Sequence, residues 1–263
     1  MGDHGVCGKE GVEWSLTRYL PQAVYSFFAS VCCQVSFACV KITALCPLPV
    51  LERAAAVLRW HSKHPSQPVP WLLPSLPVLA PDSPSLPEQP PPLSADEEGQ
   101  VARAYGRLKH ICDTCRAQKL PLLIDAEYTD VEAAIDHFAF AAALEYPGRG
   151  GLPFVYATVQ CYLKDSLPRL KTALHEAQRR GVPIGFKLVR GAYLRREGEV
   201  AERRGVGSPV HGSVEETHSC YDSCAEVMMR AAVDKGSSAA AVVLATHNFE
   251  SGDTSAIILV RFT

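Results

Sequence analysis

The feature that most constrains this chain is a repeated alternation of short apolar runs with longer segments of helical pattern. LPLLIDAE (120–127) ends in two acids and is followed by DVEAAIDHFAFAAALEY (130–146). FVYATVQCYL (154–163) precedes a helical segment that reaches Gly181, where glycine can supply the left-handed residue that closes a helix. PIGFKLVRGAYL (183–194) leads into a long helical region that includes 216–236, and AAVVLATHN (240–248) comes last. Apolar runs of this length, each separated by a helix, predict parallel strands covered on both sides, so the class is α/β.

An earlier unit precedes the series. A strand-like run (36–45) and a helical run (50–60) are followed by 61–95, which holds more than half of the chain's 20 prolines. Proline fixes φ and removes a backbone donor, so neither a helix nor a central strand fits there, and the segment reads as an insertion. Ser94 followed by Glu97 is a capping box that opens a helix to about residue 119. The expected organisation is 1–35 without assigned structure, 36–60 as a first βα unit, 61–95 as the insertion, 96–251 as units two to five, and 252–263 as a divergent tail.

Composition excludes little. A chain of 263 residues, 47% hydrophobic and 21% charged, is long enough for one large domain. The balance of 26 basic against 28 acidic residues creates no single-sign field that would favour nucleic acid. Ten cysteines without a secretory leader read as reduced thiols. Cys112 and Cys115 have CxxC spacing, but no second pair follows at zinc-ribbon distance, so no metal is expected. The apolar run 25–45 is interrupted by Gln34 and Lys41, which argues against a transmembrane span. The first 24 residues lack the Arg-rich, acid-poor character of a transit peptide.

A doubly wound sheet and a (β/α)8 barrel share this rhythm, and the placement of polar residues separates them. No GxGxxG follows the first strand, and the glycines at 148–151 precede a strand, as a turn would. Every predicted strand instead carries polar groups late in its run: Lys41, then Asp125 and Glu127, Gln160, Lys187 and Arg190, and finally Thr246, His247 and Asn248. Delivery of chemistry from one end of successive strands is barrel behaviour. In 183–194, Lys187, Val189 and Gly191 share one face, offering a cation beside a glycine that permits close backbone approach. A planar, electron-accepting ring on that face would have positive charge near its reducible atoms. Gln160 and the 246–248 cluster can bond ring edges, ribose or pyrophosphate, which leaves Lys41 and Asp125 for the substrate.

VKITAL around Lys41, LLIDAE at 122–127, TVQCYL around Gln160, KLVRGAYL at 187–194 and ATHN at 245–248 resemble, in order and spacing, the motifs of the proline dehydrogenase family. SPVHGSVEETHSCYDSC (208–224) and KITALCPLPVLERAAAVLRW (41–60) are similar to eukaryotic, plant-type members. The resemblance implies an incomplete (β/α)8 barrel with about five of its eight units. It also implies a mitochondrial flavoenzyme that oxidises L-proline to Δ1-pyrroline-5-carboxylate, with FAD taking the hydride, a quinone reoxidising it, and a peripheral contact with the inner membrane.

By motif, Lys187 falls near the flavin N5. Val189, Arg190 and Gly191 fall on the flavin-contacting strand end, Gln160 on the ring-contacting amide, and Ala245, Thr246, His247 and Asn248 on the dinucleotide-contacting segment. Lys41 and Asp125 fall in the substrate pocket. The family's last units and its adjacent arginine pair for the proline carboxylate have no counterpart here, since Arg179-Arg180, Arg195-Arg196 and Arg203-Arg204 belong to the third and fourth units. The alternative is therefore a non-catalytic product: an incomplete gene prediction, a splice form or a remnant. An open parallel sheet leaves unpaired edges, and IILVRF (257–262) is a surrogate sixth strand or an aggregation-prone stretch. A metal-dependent hydrolase using Asp125, Glu127 and His247 is a third reading, opposed by the cations of KLVRGAY.

Overall fold

The computed structural model describes residues 37–84, 86–148, 152–233 and 240–246. In chain order the elements are β1 (Ala38–Val40), α1 (Leu48–His61), α2 (Ala95–Ala117), β2 (Leu122–Ile124), α3 (Thr129–Glu145), β3 (Val155–Gln160), α4 (Ser166–Arg180), β4 (Ile184–Val189), α5 (Leu194–Arg204), α6 (Val214–Val233) and β5 (Ala240–Leu244). The strands form one five-stranded sheet in the order β1-β2-β3-β4-β5, every neighbouring pair parallel. An order that follows the chain without reversal is the progression of a β/α barrel, because a doubly wound sheet must reverse at its switch point.

Local chemistry sets the helix boundaries. The Ser94 hydroxyl accepts from the Glu97 N–H and the Glu97 carboxylate accepts from the Ser94 N–H, which starts α2 as a capping box. Gly181 (φ 67°) and Gly205 (φ 63°) end α4 and α5 in the left-handed region, where a side chain would be strained. The first turn of α3 is held from outside, with Glu197 of α5 accepting from the Thr129 N–H at 2.7 Å and the Thr129 hydroxyl at 2.6 Å.

Alternation along the strands sorts side chains onto two faces. On one face Val40, Ile124, Ala157, Val159, Phe186 and Leu188 join the main core with α1, α2, α3, α4 and α6. On the other, Cys39, Leu123 and Tyr156 form a separate small cluster with Phe37, Ala241 and Val243. The expectation of strands covered by helices on both sides is thus corrected: in the described residues α1, α2, α3, α4 and α6 pack on one face, and the other is a barrel interior.

Three boundaries also differ from the sequence reading. Pairing in β1 stops at Val40, and Ile42–Ala44 form a 3-10 turn that delivers the chain to Pro47 and α1. Lys41 therefore stands just past the strand. Lys187 lies within β4 and not at its end. The long helical region after β4 is two helices, because Gly205 ends α5 and the linker makes an antiparallel bridge between Leu163 and Val210.

The proline-rich stretch contains no helix or strand between Ser62 and Ser94 among its described residues, as expected from its missing donors. It is nevertheless a packed cover. Leu76, Val78 and Leu93 are buried in the main core. The Leu73 N–H donates to His137 Nε2 at 3.2 Å, and Ser75 Oγ lies 3.0 Å from His137 Nδ1.

Candidate active site

Register stacks the inner face into layers. Cys39, Leu123, Tyr156, Gly185 and Ala241 pair in one row across the five strands. A Cβ at Gly185 would run into the Tyr156 ring, so glycine is what lets that ring lie across the neighbouring strand. Two residues further along, the row becomes Lys41, Asp125, Thr158, Lys187 and Val243: Thr158 pairs with Lys187 and Lys187 with Val243, while Lys41 and Asp125 follow the Val40 and Ile124 pair. A polar layer with two cations and a carboxylate thus lies directly above an apolar floor. The next row begins with Gln160 paired to Val189.

Lys41, Asp125, Thr158, Gln160, Lys187 and Val189, with Gly191 and Tyr193, line a cavity of about 290 Å³. Lys187 Nζ donates to Asp125 Oδ1 at 2.6 Å, and Lys41 Nζ donates to the Tyr193 hydroxyl at 3.2 Å. Burial lowers the Lys41 pKa, but the Tyr193 hydroxyl and the charges of Glu127 and Asp125 outweigh it, so the ammonium is held above its usual range. Lys41 is therefore a cation at neutral pH, suited to binding a carboxylate and unsuited to accepting a proton. The Gln160 amide nitrogen donates to the Glu127 carbonyl, which fixes its orientation, and Glu127 accepts from Thr43 at 2.6 Å.

Gly191 has φ 134°, and a Cβ there would strike the Tyr162 ring. Arg190 borders the cavity, but its guanidinium is engaged by α6 and the segment after β5: Nε donates to His218 Nδ1 at 2.7 Å, Nη1 to Thr246 Oγ1 at 2.6 Å, and the group stacks 4.4 Å from the Tyr221 ring centroid. Ala245 continues the sheet, its N–H donating to the Leu188 carbonyl at 3.0 Å.

Lys41, Asp125, Gln160, Lys187, Val189, Arg190 and Gly191 thus meet at one cavity, while His247 and Asn248 lie outside the described residues, as do 149–151 and 257–262. Sequence reasoning passed over Tyr193 and Thr158. Thr158 was accessible through its even spacing with Gln160 on β3, and Tyr193 through its even spacing with Lys187. Cys112 and Cys115 are buried on the core face of α2, where burial raises both thiol pKa values.

The proline dehydrogenase family model matches residues 30–260. The chain belongs to the proline dehydrogenase family. It is 45% identical over 219 residues to proline dehydrogenase 2, mitochondrial, of Arabidopsis thaliana, covering 82% of this chain and 46% of that one. It is 37% identical over 161 residues to hydroxyproline dehydrogenase of Homo sapiens, covering 60% of this chain and 35% of that one. The chain spans less than half the length of these curated relatives. Among solved structures, proline utilization A from Bdellovibrio bacteriovorus superposes with a TM-score of 0.54 at 18% identity, over 82% of this chain and 23% of that one, which shows the shared fold.

Proposed function

We propose that the cavity is the flavin side of a site that oxidises L-proline to Δ1-pyrroline-5-carboxylate, in a mitochondrial enzyme that passes electrons to a quinone. The observation that carries this reading is the polar layer Lys41, Asp125, Thr158 and Lys187 above an apolar floor, with a Cβ-free, positive-φ residue at Gly191 on its rim. The names of the relatives support the substrate class and the compartment. In the same reading 36–60 and 96–251 are parts of one barrel segment, and 61–95 is its insertion.

The residues fit the ring portion of FAD. Gly191 takes the positive φ of the rim with the Tyr162 ring packed where a Cβ would stand, Val189 offers an apolar contact, the Gln160 amide is held in one orientation, and Lys187 supplies positive charge. FAD, when bound, supplies the two-electron acceptor. Lys187 stabilises negative charge on the ring side, and its pairing with Asp125 fixes where that charge sits. Lys41 holds the carboxylate of the amino acid and orients its Cα–H, while Tyr193 fixes the ammonium. Ala245, Thr246, His247 and Asn248 are assigned to the remainder of the dinucleotide, with Arg190 positioning Thr246. Among the described residues no helix is long and apolar enough to cross a membrane, and contact with a quinone-bearing membrane is assigned to a peripheral surface.

One observation favours a second reading, flavin binding without turnover: among the described residues, no adjacent arginine pair lines the cavity. Both readings are tested on the purified chain, supplied with FAD and scanned for a flavin band, then mixed anaerobically with L-proline. Bleaching that weakens in Lys41→Ala through a raised KM supports oxidation. A stable flavin band indifferent to proline supports the second reading, and a chain that takes up no flavin sinks both.

A further inference from the structure

We propose that Glu197 is a positioning residue for the cavity: by capping α3 from α5, it sets where the Tyr193 hydroxyl meets Lys41. The starting observation is a helix without a cap of its own. Tyr128 at the N-terminus of α3 makes no side-chain capping bond, and the Thr129 N–H and hydroxyl both donate to the Glu197 carboxylate, at 2.7 and 2.6 Å. Glu197 is only 3% exposed. Taking a carboxylate out of water is costly unless its oxygens are paired, and here each oxygen has a donor on Thr129. Negative charge at a helix N-terminus is also favoured by the helix dipole.

What Glu197 carries with it is Tyr193. The two residues are one helical turn apart at the start of α5, joined by the bond from the Glu197 N–H to the Tyr193 carbonyl at 3.0 Å. The Tyr193 hydroxyl accepts from Lys41 Nζ at 3.2 Å, and its ring meets Tyr128 edge to face with centroids 5.9 Å apart. Arg196, from the same turn of α5, stacks its guanidinium 3.7 Å from the Tyr128 centroid, and Arg204 at the far end of α5 pairs with Asp130 at 2.7 Å. Arg59 of α1 donates to the Thr129 carbonyl and fixes the receiving end. α5 is thus bound to the start of α3 at three successive residues, Tyr128, Thr129 and Asp130. The Arg196 and Arg204 side chains are 41% and 59% exposed, so the buried Glu197 bonds carry the constraint.

The segment that receives this clamp also builds the cavity. Residues 125–129 run from the end of β2 into α3: Asp125 accepts from Lys187, Glu127 accepts from Thr43 and through its carbonyl from Gln160, Tyr128 meets Tyr193, and Thr129 holds Glu197. Lys41 and Tyr193 are 152 residues apart in sequence, so their contact depends on how the start of α5 is held against the β2–α3 segment. Glu197 itself does not line the cavity, and its effect is exerted through Tyr193. The use of the Lys41–Tyr193 contact in holding an amino-acid carboxylate rests on the oxidation proposed above, whereas the dependence of that contact on Glu197 does not.

The test reads the contact directly and needs no turnover. The full chain is treated with limiting acetic anhydride at fixed pH, and acetylation of each lysine is timed by mass spectrometry. Glu197→Ala is expected to speed Lys41 acetylation about 5-fold, the factor carried by one ordinary hydrogen bond, with Lys187 unchanged. Tyr193→Phe should give a rise of the same size, and the double variant no more than either alone. Glu197→Gln, which keeps an acceptor for the Thr129 N–H, should restore the parent rate. Thr129→Val, which loses only the hydroxyl, should give a smaller rise and takes the place of Glu197→Ala if that variant does not fold. In the flavin-loaded chain Glu197→Ala should raise the KM for L-proline about 5-fold with kcat within about 2-fold. An unchanged Lys41 rate in Glu197→Ala, a parallel rise at Lys187, or additive effects in the double variant would each overturn the positioning role. A flavin that L-proline does not bleach, with the labelling pattern as expected, would sink the oxidation reading and leave the positioning role standing.

Discussion

Between helices α3 and α4, Arg169 is ringed by Glu132, Asp136 and Asp165, whereas across the sheet Lys187 meets Asp125. The first group is wrapped by packed helices, with Arg169 8%, Glu132 3% and Asp136 5% exposed. Burial would lower the Arg169 pKa, but Glu132, Asp165 and Asp136 hold it well above the usual range. Burial raises the Asp136 carboxyl despite Arg169, and the neighbouring acids push the same way. Arg169, Glu132 and Asp136 are packed away from water, with Asp165 half-exposed at the edge, and together they form a structural knot. The cavity-side pair keeps partly exposed groups and open space beside it, which is the condition for binding something else.

The largest break in that contrast should come from Arg169→Met. Leaving two carboxylates buried without their cation is expected to cost about 3–5 kcal/mol, read as a lower urea midpoint at unchanged slope. A loss below about 1 kcal/mol would show the cluster to be open to water after all.

Next in size is the histidine that pins the proline-rich cover. Burial, with a contribution from His61, lowers the His137 pKa to about 4 from 6.5 in the unfolded chain. Between those values the unfolded chain binds the extra proton. The contribution is therefore fully present above pH 6.5, lost as the pH falls toward 4, and about 3 kcal/mol in all. Subtracting the pH profile of His137→Gln should isolate it, since Nε2 accepts from the Leu73 N–H only when unprotonated. Parallel profiles for parent and variant would refute the assignment.

The smallest stability effect belongs to the cavity side. Lys187→Met is expected to change unfolding free energy by about 1 kcal/mol or less, because Asp125 beside the cavity can be rehydrated. The same substitution should weaken flavin retention in the uptake assay. A stability loss matching that of Arg169→Met would mean that Lys187 is structural.

Much of this contrast was readable along the chain. The alternation of runs exposed the βα order, Ser94 and Glu97 marked a helix start, and Gly181 marked a helix end. The residues Lys41, Asp125, Gln160 and Lys187 stood at successive runs because a period of two fixes which face a side chain takes. Partnership across strands was not readable. Nothing local says that Lys187 reaches Asp125 while Lys41 reaches Tyr193, since register depends on how four separate strands align. The engagement of Arg190 with His218 and Tyr221 was hidden for the same reason. The proline segment concealed its packing because irregular backbone has no periodicity to betray a buried Leu76.

Strand order also dictates a schedule of assembly. As the chain leaves the ribosome, β3, β4 and β5 each find the preceding strand already made, one helical unit or linker earlier. β1 alone must wait through α1, the proline-rich cover and α2 before β2 exists to receive it. Loop-closure entropy grows only logarithmically, so the delay costs little at equilibrium, but it makes β1 the strand with the longest unpaired life during synthesis. Lys41, the group proposed to hold the amino-acid carboxylate, therefore enters the polar layer only when that long loop has closed.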